Sequence, residues 1–127
     1  MTSPLNIFLA DLTHEPERTN VHNMPLAIGN LCSYLSHHLE DQIRVKLFRY
    51  GEDLESALKA APPQVAMFSN YIWNERLTGA WAERIKETDP SILVVFGGPN
   101  FPLDASRQAE FLKRYREIDI YLRYEGE

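Results

Sequence analysis

Five extended runs alternate with four helical patterns along these 127 residues, and that alternation restricts the fold more than any other feature. Residues 6–10 form a continuous apolar strand ending at Asp11. Residues 24–39 read as a helix, with Ile28, Leu31, Cys32, Leu35 and Leu39 on one stripe. Residues 43–48 alternate apolar and basic, as expected of a strand at a sheet edge. A short helix over 52–61 is stopped by Pro62 and Pro63. Residues 65–68 form the third strand. A helix over 75–88 ends at Asp89, because a residue before proline avoids the helical region. Residues 92–96 form the fourth strand, 106–116 a helix carrying Ala109, Leu112 and Tyr115, and 118–122 the fifth strand. Strands and helices that alternate with short links make a parallel sheet covered on both faces, and right-handed crossovers leave few topologies. The expected fold is α/β: a flavodoxin-like (Rossmann-like) five-stranded parallel sheet of order 2-1-3-4-5, with helices on both faces. Its switch point lies between strands 1 and 3.

In such sheets ligands bind beyond the carboxyl ends of the strands. Two of those ends carry unusual chemistry. Strand 3 runs into Ser69-Asn70-Tyr71-Ile72-Trp73-Asn74, which offers a hydroxyl, amides and an indole. Strand 4 runs into Gly97-Gly98-Pro99, where two residues without a Cβ let backbone approach a bulky partner. Asp11 ends strand 1 at the switch point and opens a 13-residue loop to Asn23, longer than the usual βα connection. Pro25 and Leu26 open the first helix. These positions also have plain structural readings. Ser69 and Asp11 can cap turns, Gly97-Gly98-Pro99 is a good turn, and Trp73 can be a core residue.

Simpler α/β chemistries fail on particular residues. A flavin-phosphate loop needs converging backbone donors after strand 1, where this chain has two carboxylates and no glycine in residues 12–17. Gly-x-Gly-x-x-Gly is absent. A phosphoacceptor receiver domain needs an aspartate after strand 3 and a lysine after strand 4, where Ser69-Asn70 and Gly97-Gly98 stand. The net charge of −5 argues against a nucleic-acid platform. One cysteine, Cys32, forms no internal disulfide and is expected to be a buried structural thiol. No run approaches the roughly 18 apolar residues of a membrane span, and there is no signal-like N-terminus. A cytoplasmic location is expected, without membrane or nucleic-acid partners.

The chain resembles the N-terminal cobalamin-binding domain found ahead of radical S-adenosylmethionine (SAM) enzymes. The resemblance runs over nearly the whole chain: Met24-Pro25-Leu26 with residues 29–35, then residues 69–74, Ile85-Lys86 with Pro90, Gly97-Gly98-Pro99, and Ile118-Asp119 with residues 124–127. The wider cobalamin fold carries Asp-x-His-x-x-Gly, Ser-x-Leu and Gly-Gly. This chain is similar at the last two, through Ser69-Asn70-Tyr71 and Gly97-Gly98, and departs at the first, where Asp11 and His14 have the wrong spacing and no glycine follows. The resemblance implies a corrinoid held base-off, without a histidine ligand. It implies a cofactor-binding set of Asp11, Pro25, Leu26, Ser69, Tyr71, Trp73, Asn74, Gly97, Gly98 and Pro99, with no catalytic or metal-ligating residue in this chain. Ser69 would bond the dimethylbenzimidazole tail, Gly97 and Gly98 would let that tail lie against backbone, Trp73 would cover the lower corrin face, and Pro25 and Leu26 would line its rim. Residues 1–127 would be one cobalamin-binding-like domain of a longer protein. A radical SAM domain would follow, with a [4Fe-4S] cluster and SAM, and methyltransferases are among the family's members. The alternative is a degenerate relative that binds no corrinoid and serves as a non-catalytic interaction domain. The fifth strand is followed by no helix, and Ile118, Ile120 and Leu122 read as one apolar face, so this piece alone is expected to self-associate or melt early.

Overall fold

A computed structural model describes residues 2–14 and 25–123. The rim loop beyond His14, including His22 and Met24, and the terminal Tyr124-Glu125-Gly126-Glu127 lie outside the described residues. The elements are β1 (Leu5–Ala10), α1 (Leu26–Leu39), a 3-10 turn (Glu40–Gln42), β2 (Ile43–Phe48), α2 (Gly51–Ala60), β3 (Val65–Ser69), α3 (Glu75–Thr88), β4 (Leu93–Gly97), α4 (Ala105–Arg114) and β5 (Ile120–Leu122). All five strands are parallel, in the order β2-β1-β3-β4-β5. This is the expected topology, and the alternating strand β2 is indeed at an edge.

Strand alternation sorts the apolar residues onto two faces. Phe8, Ala10, Ala66, Phe68, Val94 and Phe96 pack with Leu54 and Leu58 of α2, Ala82 and Ile85 of α3, and Phe111 of α4. Ile7 and Leu9 point the other way, against Ile28 of α1, with Leu31, Cys32, Val65 and Met67 around them. The first layer is thick and aromatic. The second has a single helix over it. Cys32 is half-buried in that second layer rather than enclosed.

Two expectations are corrected here. Helix α4 buries Phe111, not the Ala109–Leu112–Tyr115 stripe, and Leu112 is exposed. The reason is a ring cluster: Phe111 meets Phe101 edge-on at 5.4 Å and Tyr121 at 5.8 Å, and packs on Tyr115 at 5.0 Å. Nor do Ile118, Ile120 and Leu122 share a face. Ile118 precedes β5 and is buried in the thick layer, while Ile120 is 43% exposed.

A polar clasp explains the Ile85-Lys86, Pro90 and Ile118-Asp119 segments. The Lys86 ammonium donates to the Asp119 carboxylate at 2.6 Å, to the Ile92 carbonyl at 2.7 Å and to the Pro90 carbonyl at 3.3 Å. The same Asp119 oxygen accepts the Val94 N–H at 2.8 Å, while the Asp119 N–H donates to the Val94 carbonyl at 2.9 Å. Asp119 thus continues the β4 ladder before β5 begins, and α3 is tied to both strands. Burial alone raises the Asp119 carboxyl pKa. The Lys86 hydrogen bond, the Val94 N–H and the Lys86 charge outweigh that and hold it below the usual carboxylate value. A depressed folded pKa gives stability that is present above the unfolded value of about 3.9 and lost as the pH falls through the folded value. Lys86→Met should cost about 1–2 kcal/mol in denaturant melts at pH 7, since both partners reach solvent and the pair is partly screened. The cost should shrink as the pH drops through the acid range. A loss that stayed constant down to pH 2 would remove the ion pair from the explanation.

Candidate functional site

The rim beyond β3 is built around Asn74. This residue precedes α3, is fully buried, and has its whole side-chain amide engaged. Its Oδ1 accepts the Tyr71 N–H at 2.8 Å, and its Nδ2 donates to the carbonyls of Leu12 at 3.1 Å and Ser69 at 3.2 Å. One side chain therefore fixes the turn 71–74 and staples it to the end of β1. Expected at the cofactor edge, Asn74 instead shapes the rim from inside.

The rim beyond β4 is set by a close backbone crossing. The Asn70 N–H donates to the Gly97 carbonyl at 2.6 Å, prolonging the β3–β4 ladder past Ser69 and Gly97. Gly98 sits at φ 113°, and a Cβ there would fall 2.7 Å from the Asn70 carbonyl oxygen and 3.1 Å from its nitrogen. Its missing side chain thus makes room for Asn70 backbone. Gly97 is different: a Cβ there would meet nothing closer than the Leu122 carbonyl oxygen at 3.7 Å. Gly98→Ala should cost at least about 2 kcal/mol of stability, while Gly97→Ala should stay within about 1 kcal/mol of the parent. Urea unfolding of the two variants checks this, and a Gly98→Ala protein as stable as the parent would refute the crossing as the reason for that glycine.

Between these rims lies a cleft of about 690 Å³. Its floor is the thinly covered sheet face, with Leu9, Met67, Val95 and Leu122. One wall is Ile28 and Leu31 of α1, and the other runs through Phe101, Pro102 and Leu103 to Gln108 of α4. Ser69, Tyr71, Gly97, Gly98 and Pro99 line it, so five of the expected residues converge on one concave surface. The volume falls inside the roughly 300–1,000 Å³ of small-molecule sites, and apolar walls with a few polar groups are their usual chemistry. Sequence reasoning missed the α1 and α4 walls. Leu103, 96% exposed and adjoining a proline, was the available signal.

The other expected residues lie outside the cleft lining. Trp73 is 65% exposed and stacks on Tyr71, ring centroids 4.4 Å apart and planes 6° from parallel. It belongs to the turn before α3 and not to the core. His14 lies beside it, its Nε2 3.3 Å from the Trp73 carbonyl oxygen. Leu26 is exposed at the start of α1, next to half-buried Pro25. Neither they nor Trp73 line the cleft itself.

Asp11 is half-buried at the end of β1. Burial pushes its carboxyl pKa up, and the charge of Arg49 only partly opposes this. Burial likewise raises the Tyr71 phenol, with the Asp11 charge adding to it. A raised carboxyl pKa means that ionisation works against the fold: stability is lost as the pH climbs from the unfolded value toward the folded one, and stays reduced above it. Asp11→Asn is therefore expected to be more stable than the parent at pH 7, with the two converging below about pH 4. Melts across that range decide the sign, and an Asn variant less stable at pH 7 would count against a desolvated Asp11.

Comparison with known proteins places this geometry. No family model matches the chain. It is similar to the 2-(S-pantetheinyl)-carbapenam-3-carboxylate methyltransferase of Streptantibioticus cattleyicolor, at 37% identity over 73 residues, 58% of this chain and 10% of that protein. It is also similar to the cobalamin-dependent radical SAM methyltransferase TokK of Streptomyces tokunonensis, at 37% over 111 residues, 82% of this chain and 15% of that protein. The chain thus spans a small fraction of the curated relatives it matches. Among solved structures, the beryllofluoride-activated DrrB receiver domain superposes with a TM-score of 0.54 at 19% identity, covering 94% of this chain and 84% of that one. The response regulator RcsB of Salmonella typhimurium gives 0.61 at 14% (98% and 54%), and a CheY-like TadZ protein of Pseudomonas aeruginosa gives 0.57 at 18% (96% and 89%). These neighbours establish the flavodoxin-like fold and nothing of the chemistry.

Proposed function

We propose that this chain is the corrinoid-binding module of a radical SAM methyltransferase, taking the nucleotide tail of cobalamin in the cleft and presenting the corrin at its mouth. The observation that carries the reading is the convergence of Ser69 with Gly97-Gly98-Pro99 on one apolar cleft, because these are the positions that the sequence resemblance assigns to the tail. The residues fit such a group. The floor is apolar, a hydroxyl stands at its edge, and a Cβ at Gly97 would make only ordinary contact with Leu122, 3.7 Å from its carbonyl oxygen. The printed names of the two curated relatives, one of them cobalamin-dependent, support the same reading.

When bound, cobalamin supplies a cobalt centre able to carry a methyl group. The chain's own residues bind and orient it. Ser69 donates to or accepts from the tail, Gly97 leaves room for it, and the Tyr71–Trp73 stack offers a flat apolar surface beside the mouth. With a single cysteine, these residues hold no three-cysteine cluster. In this reading the [4Fe-4S] cluster and SAM belong to a further domain of the full protein, which would be the module's main partner.

Binding is expected to be base-off and without a histidine ligand. The only described histidine near the mouth is His14, already against the Trp73 carbonyl. Titration of the chain with hydroxocobalamin should give a saturable shift of the corrin absorbance, and the Co(II) form should show no nitrogen superhyperfine splitting in electron paramagnetic resonance. No shift at any concentration would leave the interaction-domain reading in its place. Nitrogen splitting would remove the histidine-free geometry.

A further inference from the structure

Behind the glycine turn, outside the cleft, lies a hydrogen-bonded group that the tail-binding residues do not include. Tyr121 of β5 turns away from the cleft that its neighbour Leu122 lines. Its hydroxyl donates to the Gly98 carbonyl at 3.0 Å and accepts from the Asn70 Nδ2 at 3.3 Å. The same Nδ2 donates to the Asn100 carbonyl at 3.0 Å, and the Asn100 N–H reaches the Asn70 carbonyl at 3.4 Å. The Asn100 amide donates in turn to Glu75 at 3.1 Å, at the start of α3. The turn after β4 is thereby held at Gly98 and Asn100, on either side of Pro99.

Three features make this group more than packing. Its donors and acceptors form a directed chain, since the phenol's one proton goes to Gly98 and toward Asn70 its oxygen can only accept. Asn70 is fully buried, and its Oδ1 has no partner among the described residues, so among them the amide is held in place by its Nδ2 bonds at the cost of an unsatisfied oxygen. And the Tyr121 ring is independently anchored, stacked on Phe101 at 4.0 Å and 14°. Phe101 itself forms part of the cleft wall. One side chain therefore links the carbonyl of a lining glycine to a lining aromatic.

We propose that Tyr121 and Asn70 are positioning residues that set the height of the Gly97-Gly98-Pro99 turn over the cleft, and through it the grip on a ligand's tail. The proposal rests on the corrinoid reading above. In a small-molecule site, a turn displaced by a fraction of an ångström changes the space above Gly97, while the corrin at the mouth would not feel it.

The test uses Tyr121→Phe, which keeps the ring stack and removes only the hydroxyl. Parent and variant are titrated with hydroxocobalamin and with cobinamide, a corrinoid lacking the nucleotide tail. The amide exchange of Gly98 and Asn100 is followed in the absence of ligand. The variant is expected to bind cobalamin about threefold to tenfold more weakly, the equivalent of one hydrogen bond, with cobinamide affinity unchanged. The turn amides should exchange faster, while those of β1 and β3 keep their protection. Equal loss for both corrinoids would make Tyr121 a general stability residue and overturn the proposal. So would unchanged exchange at the turn, whatever the affinities. If the parent itself fails to prefer cobalamin over cobinamide, the tail reading falls and this role for Tyr121 falls with it; the exchange result is then read as loop rigidity alone. Asn70→Asp supplies a second variant: it removes the donor to Tyr121 and Asn100, and should reproduce the cobalamin-specific loss.

Discussion

The functional edge of this molecule depends on the place where the chain leaving β3 touches the chain leaving β4. In sheets of this kind ligands bind at the switch point, here between β1 and β3. The adjoining strands β3 and β4 stay bonded to their very ends, through the Asn70 N–H and the Gly97 carbonyl at 2.6 Å, and Gly98 gives up its side chain so that Asn70 can pass. The crossing keeps strands 3 and 4 together at the rim. The ligand-sized space lies on the sheet face beside it, walled by α1, with Leu9, Met67 and Val95 in its floor. A cleft along a sheet face is long and apolar. A gap between strand ends would be short and ringed by polar backbone. The crossing therefore sets the shape of the rim.

β5 shows how much is asked of a short element. It has three residues. At its amino end the Lys86–Asp119 clasp aligns it with β4, and at its carboxyl end Tyr121 ties it to Gly98 and Asn70. Between them, Tyr121 and Leu122 look to opposite faces, one into the ring cluster of α4 and one into the cleft. A strand this short gains little from its ladder bonds, so side-chain bonds at both ends fix its register. The clasp lies at the end of the sheet away from the cleft, and its loss should be felt as stability. The Tyr121 end borders the cleft, where the same kind of bond serves position.

Much of this was legible in the sequence, and the parts that were not share a cause. Strand order and helix placement follow from short-range periodicity, which residues such as Ile7, Phe8 and Leu9 write directly into the chain. Ser69 and Gly97-Gly98-Pro99 stand out because a hydroxyl and two glycines after apolar strands are locally odd. Tyr121 does not stand out, and Asn70 and Asn74 stand out only as amides at a strand end, not for the bonds they make. Asn70 and Tyr121 are 51 positions apart, Asn74 and Leu12 are 62 apart, and no local pattern marks an amide that will bond a distant carbonyl. The reason for Gly98 was hidden in the same way: the space it frees is taken by Asn70 from another strand, and only the tertiary fold shows that. On α4 the sequence marked Ala109, Leu112 and Tyr115 and passed over Phe111, which packs with the rings of Phe101, Tyr115 and Tyr121.

The fold that this chain shares with receiver domains sharpens what its rim is for. A receiver rim concentrates charge, with an acceptor aspartate after strand 3 and a lysine after strand 4. Here those positions hold Ser69-Asn70 and Gly97-Gly98, and the carboxylate left on the neighbouring strand, Asp11, is desolvated rather than paired into a cluster. Among the described residues no three His, Cys, Asp or Glu side chains come together to hold a metal ion. Each replacement trades charge for room or for a neutral hydrogen bond. In place of those charges the rim borders an apolar cleft with a floor, two walls and the stacked Tyr71–Trp73 pair. What sets this rim apart is a handful of side chains, several of which, like Asn74, shape it from inside the protein.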